Sequence, residues 1–265
     1  MKLLLRAACL LASLLPLAAQ DHATERLNSS PRHHEWVPVT HGDRTVNLFV
    51  VFPEVAENAT VVLVIHENRG LNPWARAFAD ELAEAGFIAV APDLLSGQGP
   101  DGGGTASFAT TDDARNALYQ LDRSQVSADL VAARDYAAAI PAGNGKVAVA
   151  GFCWGGSQCF AMATRHEDVE AALVFYGTGP REASDYEGVT APVYGFYGGN
   201  DQRVNATIEA SRAAMTAAGK TYEPVIYEDA GHGFMRSGDG PDASGPNKVA
   251  RDAGFERAVR ILRDL

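Results

Sequence analysis

Short apolar segments alternate along the chain with longer segments in which apolar residues recur every three or four positions. Continuous β-branched runs such as residues 60–65 are typical of strands buried on both faces of a parallel sheet. The predicted strands are residues 45–52, 60–65, 87–93, 147–150, 169–176, 192–197 and 223–227. The predicted helices are residues 75–86, 111–121, 124–140, 157–165, 205–218 and 247–265. This alternation predicts an α/β fold with a mostly parallel central sheet and helices on both faces.

Two connections between these elements have distinctive compositions. Asn72 is predicted to cap the helix that Pro73 opens, since Asn favours the N-cap and Pro the first helical turn. Residues 96–111 contain five glycines and form a long predicted loop. A loop of that length in a compact domain is usually functional or mobile.

The chain is long enough for one sizeable core. It has 265 residues, of which 46% are apolar, and no internal repeat or long linker divides it. Residues 45–265 are therefore predicted to form a single domain. Residues 21–44 are mostly polar and are predicted to be an extended lead-in to that domain.

Residues 1–20 have the pattern of a secretory signal peptide. Lys2 and Arg6 provide the basic start, a short apolar run follows, and Ala18 and Ala19 lie near a possible cleavage point. The apolar run is too short to span a bilayer as a stable helix, although an uncleaved membrane anchor is the alternative. Cleavage predicts an exported protein, periplasmic or extracellular, with no membrane attachment in its mature form.

Charge and cysteine content narrow the class of protein further. The formal net charge of −11 argues against nucleic acid or anionic membranes as partners. Signal cleavage would leave Cys153 and Cys159, and a disulfide between them is not expected because a six-residue separation places them on different helix faces. An unpaired thiol in an exported protein suggests reactivity, which is predicted for Cys153, whereas Cys159 is predicted to fill the core.

The segment around Cys153 has the order of a nucleophile elbow. A β-prone run ends in Gly151-Phe-Cys-Trp-Gly-Gly156, and a helix-compatible segment follows. Glycines on both sides of such a turn allow strained dihedral angles and a close approach of strand and helix, which exposes the side chain at the apex. A thiol there is intrinsically nucleophilic, and the helix dipole favours its thiolate. The alternative is a buried core cysteine.

Two further residues complete a constellation. Asp201 and His232 each come directly after one of the last two predicted strands, where functional residues of parallel sheets gather. The order Cys153, Asp201, His232 is the nucleophile, acid and base order of the α/β-hydrolase fold. His232 would take the thiol proton, and Asp201 would fix the tautomer of the imidazole. The backbone N–H groups of Trp154 and Asn68 are the predicted oxyanion donors.

Four separate motifs resemble those of the dienelactone hydrolase family, also called carboxymethylenebutenolidases. They are the cysteine elbow at 151–156, His66-Glu-Asn-Arg-Gly-Leu-Asn72, Arg115-Asn-Ala-Leu-Tyr119 and His232-Gly-Phe-Met-Arg236. The resemblance extends over most of residues 45–265, and it implies an α/β-hydrolase fold and hydrolysis of a lactone or ester.

The resemblance also implies roles for residues around the thiol. Glu67 would lie beside Cys153 and hold the thiol neutral until the carboxylate of an anionic substrate displaces it, and Glu67 would then take the thiol proton while His232 stabilises the thiolate. The implied substrate-binding residues are two arginines and two tyrosines, Arg115, Arg236, Tyr119 and Tyr176. A fork of arginine donors suits a carboxylate, and a thiolate that forms only with substrate resists oxidation. Without the resemblance, both arginines are ordinary surface charges.

The sequence departs from the family pattern at two places. Arg69 stands where the well-known cytoplasmic members have an aromatic pocket residue, so Arg69 joins the substrate-binding candidates. The glycine-rich loop at 96–111 replaces a more ordinary connection. Both departures leave the substrate open, as does the predicted export, because the pathway that gives the family its name is cytoplasmic.

The sequence as a whole predicts a hydrolase that opens a lactone or cleaves a carboxylate-bearing ester through a Cys153 acyl-enzyme. A broader exported carboxylesterase acting on neutral or aromatic esters is the alternative, and a non-catalytic ligand-binding protein of the same fold is a third hypothesis. The expected partner is a small-molecule ester or lactone. No cofactor or metal is expected, since the sequence has no phosphate loop, no dinucleotide fingerprint and no clustered His and Cys ligands.

Overall fold

The fold is built around one eight-stranded sheet, seen in a computed structural model that describes residues 15–55, 58–165 and 168–265. The strands are β1 (His33–His41), β2 (Arg44–Phe52), β3 (Ala59–Ile65), β4 (Ile88–Asp93), β5 (Gly143–Phe152), β6 (Ala171–Phe175), β7 (Val193–Gly198) and β8 (Tyr222–Tyr227). Their order across the sheet is β1-β2-β4-β3-β5-β6-β7-β8. Strand β2 pairs antiparallel with β1 and β4, and the remaining neighbours are parallel. The predicted mostly parallel sheet is confirmed.

The helices connect these strands. They are α1 (Leu15–Ser29), α2 (Pro73–Glu84), α3 (Thr111–Tyr119), α4 (Arg123–Ala138), α5 (Trp154–Ala163), α6 (Gln202–Asn205), α7 (Ile208–Ala217), α8 (Phe234–Ser237) and α9 (Gly245–Arg263). Asn72 caps α2 as predicted, with its side-chain oxygen accepting from Ala75 N at 3.1 Å. Residues 205–218 were predicted as one helix, but the chain forms α6 and α7 with Ala206 and Thr207 between them.

The central strands bury both faces, which explains their continuous apolar sequence. In β3, Val62 and Val64 face one core together with Trp74 of α2, whereas Val61 and Leu63 face a second core. All of these side chains are at most 1% exposed. Burial of each such side chain is worth roughly 1.5–3 kcal/mol, so packing from both sides fixes the carboxyl end of β3 in place.

The N-terminal segment differs from the predicted extended lead-in. Leu15–Ser29 form helix α1, and strand β1, which lies before the predicted domain start at residue 45, pairs with β2 at the edge of the sheet. The buried carboxylate of Asp80 on α2 holds this segment, because it accepts from Arg32 Nη2 at 2.7 Å, lies 2.9 Å from His34 Nε2 and pairs with Arg26 at 3.2 Å. Hydrogen bonds from Arg32 and its neighbours outweigh the burial of this carboxyl group and lower its pKa to about 2. The sequence pattern did not predict this contact, because it joins polar residues that are nearly 50 positions apart.

The predicted signal peptide falls mainly outside the part of the chain that the structure describes, since residues 1–14 are not included. The backbone of residues 15–20 belongs to α1. Among the described helices, none combines the length and the apolar character that crossing a bilayer requires.

The glycine-rich loop at 96–111 contains two short 3-10 turns, at Pro100–Gly102 and Thr105–Ser107. Asp93, at the end of β4, accepts from the backbone N–H of Thr105 at 2.8 Å and from its hydroxyl at 2.6 Å. The same hydroxyl accepts from the N–H of Leu71 at 2.9 Å. The loop is therefore tied to the end of β4 and to the segment that follows β3, where several of the predicted site residues lie.

Candidate active site

The turn between β5 and α5 holds Cys153 in a strained backbone conformation. Its φ of 55° and ψ of −112° are unusual for a residue with a side chain. A Cβ atom on Gly155 would lie 2.3 Å from the carbonyl oxygen of His66 and 2.4 Å from that of Ile65. The start of α5 thus lies directly against the end of β3, and the glycine allows this approach. The turn has the geometry that the sequence predicts for a nucleophile elbow.

Cys153, His232 and Asp201 form a hydrogen-bonded chain at the carboxyl edge of the sheet. His232 Nε2 lies 3.1 Å from Cys153 Sγ, and His232 Nδ1 lies 2.5 Å from Asp201 Oδ2. A carboxylate only accepts, so Nδ1 carries the proton of a neutral imidazole and Nε2 is left as the acceptor for the thiol proton. Asp201 is held in turn, because its other oxygen caps α6 by accepting from Val204 N at 3.3 Å.

The thiol of Cys153 is protonated in the resting protein. Burial, and then the negative charge of Glu67, raise its pKa to about 11. The backbone N–H groups of Trp154 and Asn68 and the positive charge of Arg203 act in the opposite direction but do not offset these effects. Both N–H groups therefore lie next to the thiol sulfur.

Glu67 is buried at the base of the site and is held by two partners. Its carboxylate accepts from Arg236 Nε at 2.9 Å and from the hydroxyl of Tyr176 at 3.2 Å. Only 4% of Glu67 is exposed, so the ion pair with Arg236 is largely shielded from water. Tyr176 itself is fully buried and has a positive φ of 40° directly after β6. Glu67, Arg236 and Tyr176 were all predicted as site residues, and the structure brings the last two into contact with the first.

His66 positions the backbone that carries Glu67 and Asn68. Its Nδ1 donates to the carbonyl oxygen of Glu67 at 2.7 Å, and its ring stacks on Trp154 with 6.0 Å between the centroids. Burial lowers the pKa of this imidazole, which is therefore neutral. Its role is structural.

A cleft of about 830 Å³ opens above these residues. Every predicted site residue lines it except Asp201, which lies behind His232. The cleft is rich in guanidinium groups with two carboxylates among them, and these charged residues are Arg69, Arg115, Arg203, Arg236, Glu67 and Asp112.

The outer residues of the cleft are more exposed than Glu67 and Tyr176. Arg115 pairs with Asp112 on its own helix at 3.1 Å, and 45% of its side chain is exposed. The hydroxyl of Tyr119 accepts from the side-chain amide of Asn68 at 2.9 Å, although 61% of this tyrosine is exposed. Burial lowers the pKa of Arg69, and repulsion by Arg236 adds to that effect.

Sequence reasoning missed Arg203, Thr178 and Ser157 as cleft residues. Thr178 and Ser157 hydrogen-bond to each other at 3.0 Å, a contact with no local pattern in the sequence. Arg203 had a usable signal, since it comes two residues after the predicted acid and therefore has to lie near the same sheet edge.

Replacing Glu67 with glutamine is expected to make the thiol more reactive in the absence of substrate. The negative charge of Glu67 raises the pKa of Cys153, so its removal lowers that pKa and also frees the positive charge of Arg236. For each unit by which the pKa of Cys153 falls, the thiolate fraction at about pH 8 rises roughly tenfold. The pH dependence of iodoacetamide alkylation measures this change.

Glu187→Gln is the matched control, because Glu187 is exposed and does not line the cleft. Its alkylation profile should match that of the unmodified protein. Slower alkylation in Glu67→Gln would contradict the inference that this carboxylate keeps the thiol protonated.

Comparisons with known proteins identify the family of the chain. The sequence profile of the dienelactone hydrolase family matches residues 46–265. A carboxymethylenebutenolidase of Pseudomonas putida is 32% identical over 212 residues, which cover 78% of this chain and 86% of that protein.

Solved structures show the same fold. A dienelactone hydrolase from Anabaena variabilis superposes with a TM-score of 0.63 at 24% identity, covering 84% of this chain and 96% of its own. A dienelactone hydrolase-like promiscuous phosphotriesterase from metagenomic libraries gives a TM-score of 0.73 at 24% identity, covering 88% and 98%. The family profile and the relative from Pseudomonas putida establish that the chain belongs to the dienelactone hydrolase family and is a hydrolase of the lactone and ester type.

Proposed function

We propose that this hydrolase acts on lactones or carboxylic esters that carry a carboxylate, through an acyl-enzyme on Cys153. The observation that carries the proposal is the buried ion pair of Glu67 and Arg236 in the wall of the cleft that also holds the thiol. Arg236 is already bound to one carboxylate there, so a substrate carboxylate can compete for the same donors. The further guanidinium groups of Arg69 and Arg115 favour a negatively charged substrate over a neutral one.

Substrate binding would activate the thiol in this proposal. When Arg236 turns to the substrate carboxylate, Glu67 is released from its ion pair and becomes a possible acceptor for the thiol proton. His232 Nε2 is an acceptor already in place, at 3.1 Å from Cys153 Sγ. The attack follows once the proton has left the sulfur, so a neutral resting thiol and an active enzyme are compatible.

The chemical steps use groups that are all present at the site. The thiolate of Cys153 attacks the carbonyl carbon, and the N–H groups of Trp154 and Asn68 stabilise the oxyanion. The carbon–oxygen bond of the ester then breaks, and the imidazolium of His232 returns the proton to the leaving oxygen. Water, deprotonated by His232, attacks the thioester, releases the acid and restores the thiol.

The broader carboxylesterase remains the alternative, and Arg236 separates the two hypotheses. We expect Arg236→Gln to lower kcat/KM for 4-nitrophenyl hydrogen glutarate about tenfold or more, relative to 4-nitrophenyl valerate. The two esters have the same acyl chain length and differ by one carboxylate, so their ratio cancels general effects of the substitution. Dienelactone itself should follow the glutarate ester.

Arg212→Gln serves as the control for loss of one positive charge, because Arg212 lies on α7 and pairs with Glu209. The glutarate-to-valerate ratio should be unchanged in this variant. An equal loss on both esters in Arg236→Gln, or cleavage of the valerate ester alone, would favour the neutral carboxylesterase instead.

We also propose that the enzyme acts outside the cytoplasm on a small-molecule substrate. The basic start, the apolar run and the small residues within 1–20 support export.

A further inference from the structure

Arg203 lies on the side of the thiol from which the alcohol of an ester departs. It belongs to α6, which follows β7, and β7 neighbours β8, whose following loop carries His232. The leaving oxygen has to approach His232 Nε2 in order to be protonated, whereas the carbonyl oxygen points to the N–H groups of Asn68 and Trp154. Asn68 follows β3, on the other side of β5 in the sheet. The alcohol portion of an ester therefore projects toward the β7 and β8 side.

The charges of the cleft leave Arg203 without a carboxylate. Glu67 is taken by Arg236, and Asp112 is taken by Arg115. Among the residues that the structure describes, no carboxylate forms an ion pair with Arg203. The net charge of the protein is −11, yet this guanidinium group in the active-site cleft has no carboxylate partner. It is therefore available to bind an anionic group of a ligand.

The backbone that carries Arg203 is held firmly. Val204 is buried, Asp201 caps the helix, and the side-chain amide of Asn205 donates to the carbonyl oxygen of Gly198 at 2.8 Å. Arg203 lines the same cleft as Cys153, and its positive charge opposes the rise in the pKa of that thiol. Its side chain is exposed at the rim of the cleft, where it can reach a group that extends from the scissile bond.

We propose that Arg203 recognises an anionic group on the leaving alcohol of the substrate. The substrate class is then an ester that joins two acidic molecules, with one carboxylate on the acyl part and a second anionic group on the alcohol part. The proposal rests on the proposed function for the acyl side and adds a second determinant of specificity. Arg203 contacts the substrate in this scheme and takes no part in proton transfer.

Four chromogenic esters test the proposal with the full-length enzyme. Glutarate half-esters and valerate esters are each made with 4-nitrophenol and with 3-carboxy-4-nitrophenol, which differ in one carboxylate on the leaving group. The readout is the ratio of kcat/KM for the carboxylated leaving group to that for the neutral one. We expect Arg203→Gln to lower this ratio about fivefold to tenfold, Arg203→Lys to retain most of it, and Arg212→Gln to leave it unchanged.

The decrease should shrink as ionic strength rises, because the contact lies at the solvent-exposed rim. An identical ratio in Arg203→Gln and the unmodified enzyme would refute the assignment, as would an equal loss on both leaving groups. Failure of the proposed function would appear elsewhere, in the comparison of glutarate with valerate on the neutral leaving group. Loss of that acyl preference with an intact effect of Arg203 would refute acyl-side recognition and still support the assignment of Arg203.

Discussion

Cys153→Ala is expected to lower kcat/KM for esters and lactones by about 10⁴-fold or more, because it removes the thiol that forms the acyl-enzyme in the proposed mechanism. The fold should be retained, since alanine adopts the φ of 55° at this turn no less readily than cysteine does. Initial rates with an activated ester measure the loss. Mass spectrometry of the unmodified enzyme, quenched during turnover, should show an acyl group on the peptide that contains Cys153.

Cys159→Ala provides the matched control. Cys159 is fully buried, and its thiol lies 3.4 Å from the carbonyl oxygen of Val149, so it carries the same chemical group at a site that substrate does not reach. We expect activity within about twofold of the unmodified enzyme and a stability loss of about 1 kcal/mol. A Cys153→Ala variant that kept a tenth of the activity would rule out the covalent mechanism.

The second large effect is expected for Gly155→Ala, which should destabilise the protein by about 3 kcal/mol or more. The new methyl group would lie 2.3 Å from the carbonyl oxygen of His66 and 2.4 Å from that of Ile65, and both contacts are with backbone. Helix propensity alone would favour alanine over glycine by about 1 kcal/mol in α5, so a loss of stability isolates the clash. Urea denaturation followed by circular dichroism measures it.

Gly145→Ala gives the comparison for backbone strain without a clash. Gly145 has a φ of 82°, and a Cβ atom there would have no neighbour within 4 Å. We expect a cost of about 1 kcal/mol from the dihedral angle alone. If Gly155→Ala were as stable as the unmodified protein, the close approach of α5 to β3 would not be a requirement of the fold.

The sequence was most informative where the determinants are local. The elbow around Cys153 was predicted from its flanking glycines and the adjacent β-prone run. Asp201 and His232 were predicted because each follows an apolar strand. The topology of parallel sheets then brings the three strand ends to one edge. Their hydrogen-bonded chain follows from chain order and strand assignment together.

The sequence was least informative where contacts join distant and polar segments. Helix α1 and strand β1 look like a solvated lead-in because their polar residues meet a partner, Asp80, that lies about 50 positions further along. The division between α6 and α7 has no glycine or proline to mark it. Arg203 was overlooked although it follows the predicted acid by two residues, because an arginine at that position is equally compatible with an ordinary surface charge.

The contacts of Asp80 connect the part of the chain that the family profile matches with residues that precede it. The family profile begins at residue 46, yet Arg26, Arg32 and His34, the cationic partners of this buried carboxylate, all precede that position. A fragment that started at residue 46 would lose β1 together with all three cationic partners of Asp80. The folded structure of this hydrolase therefore includes residues that precede the start of the family profile, among them Arg26, which lies twenty positions before it.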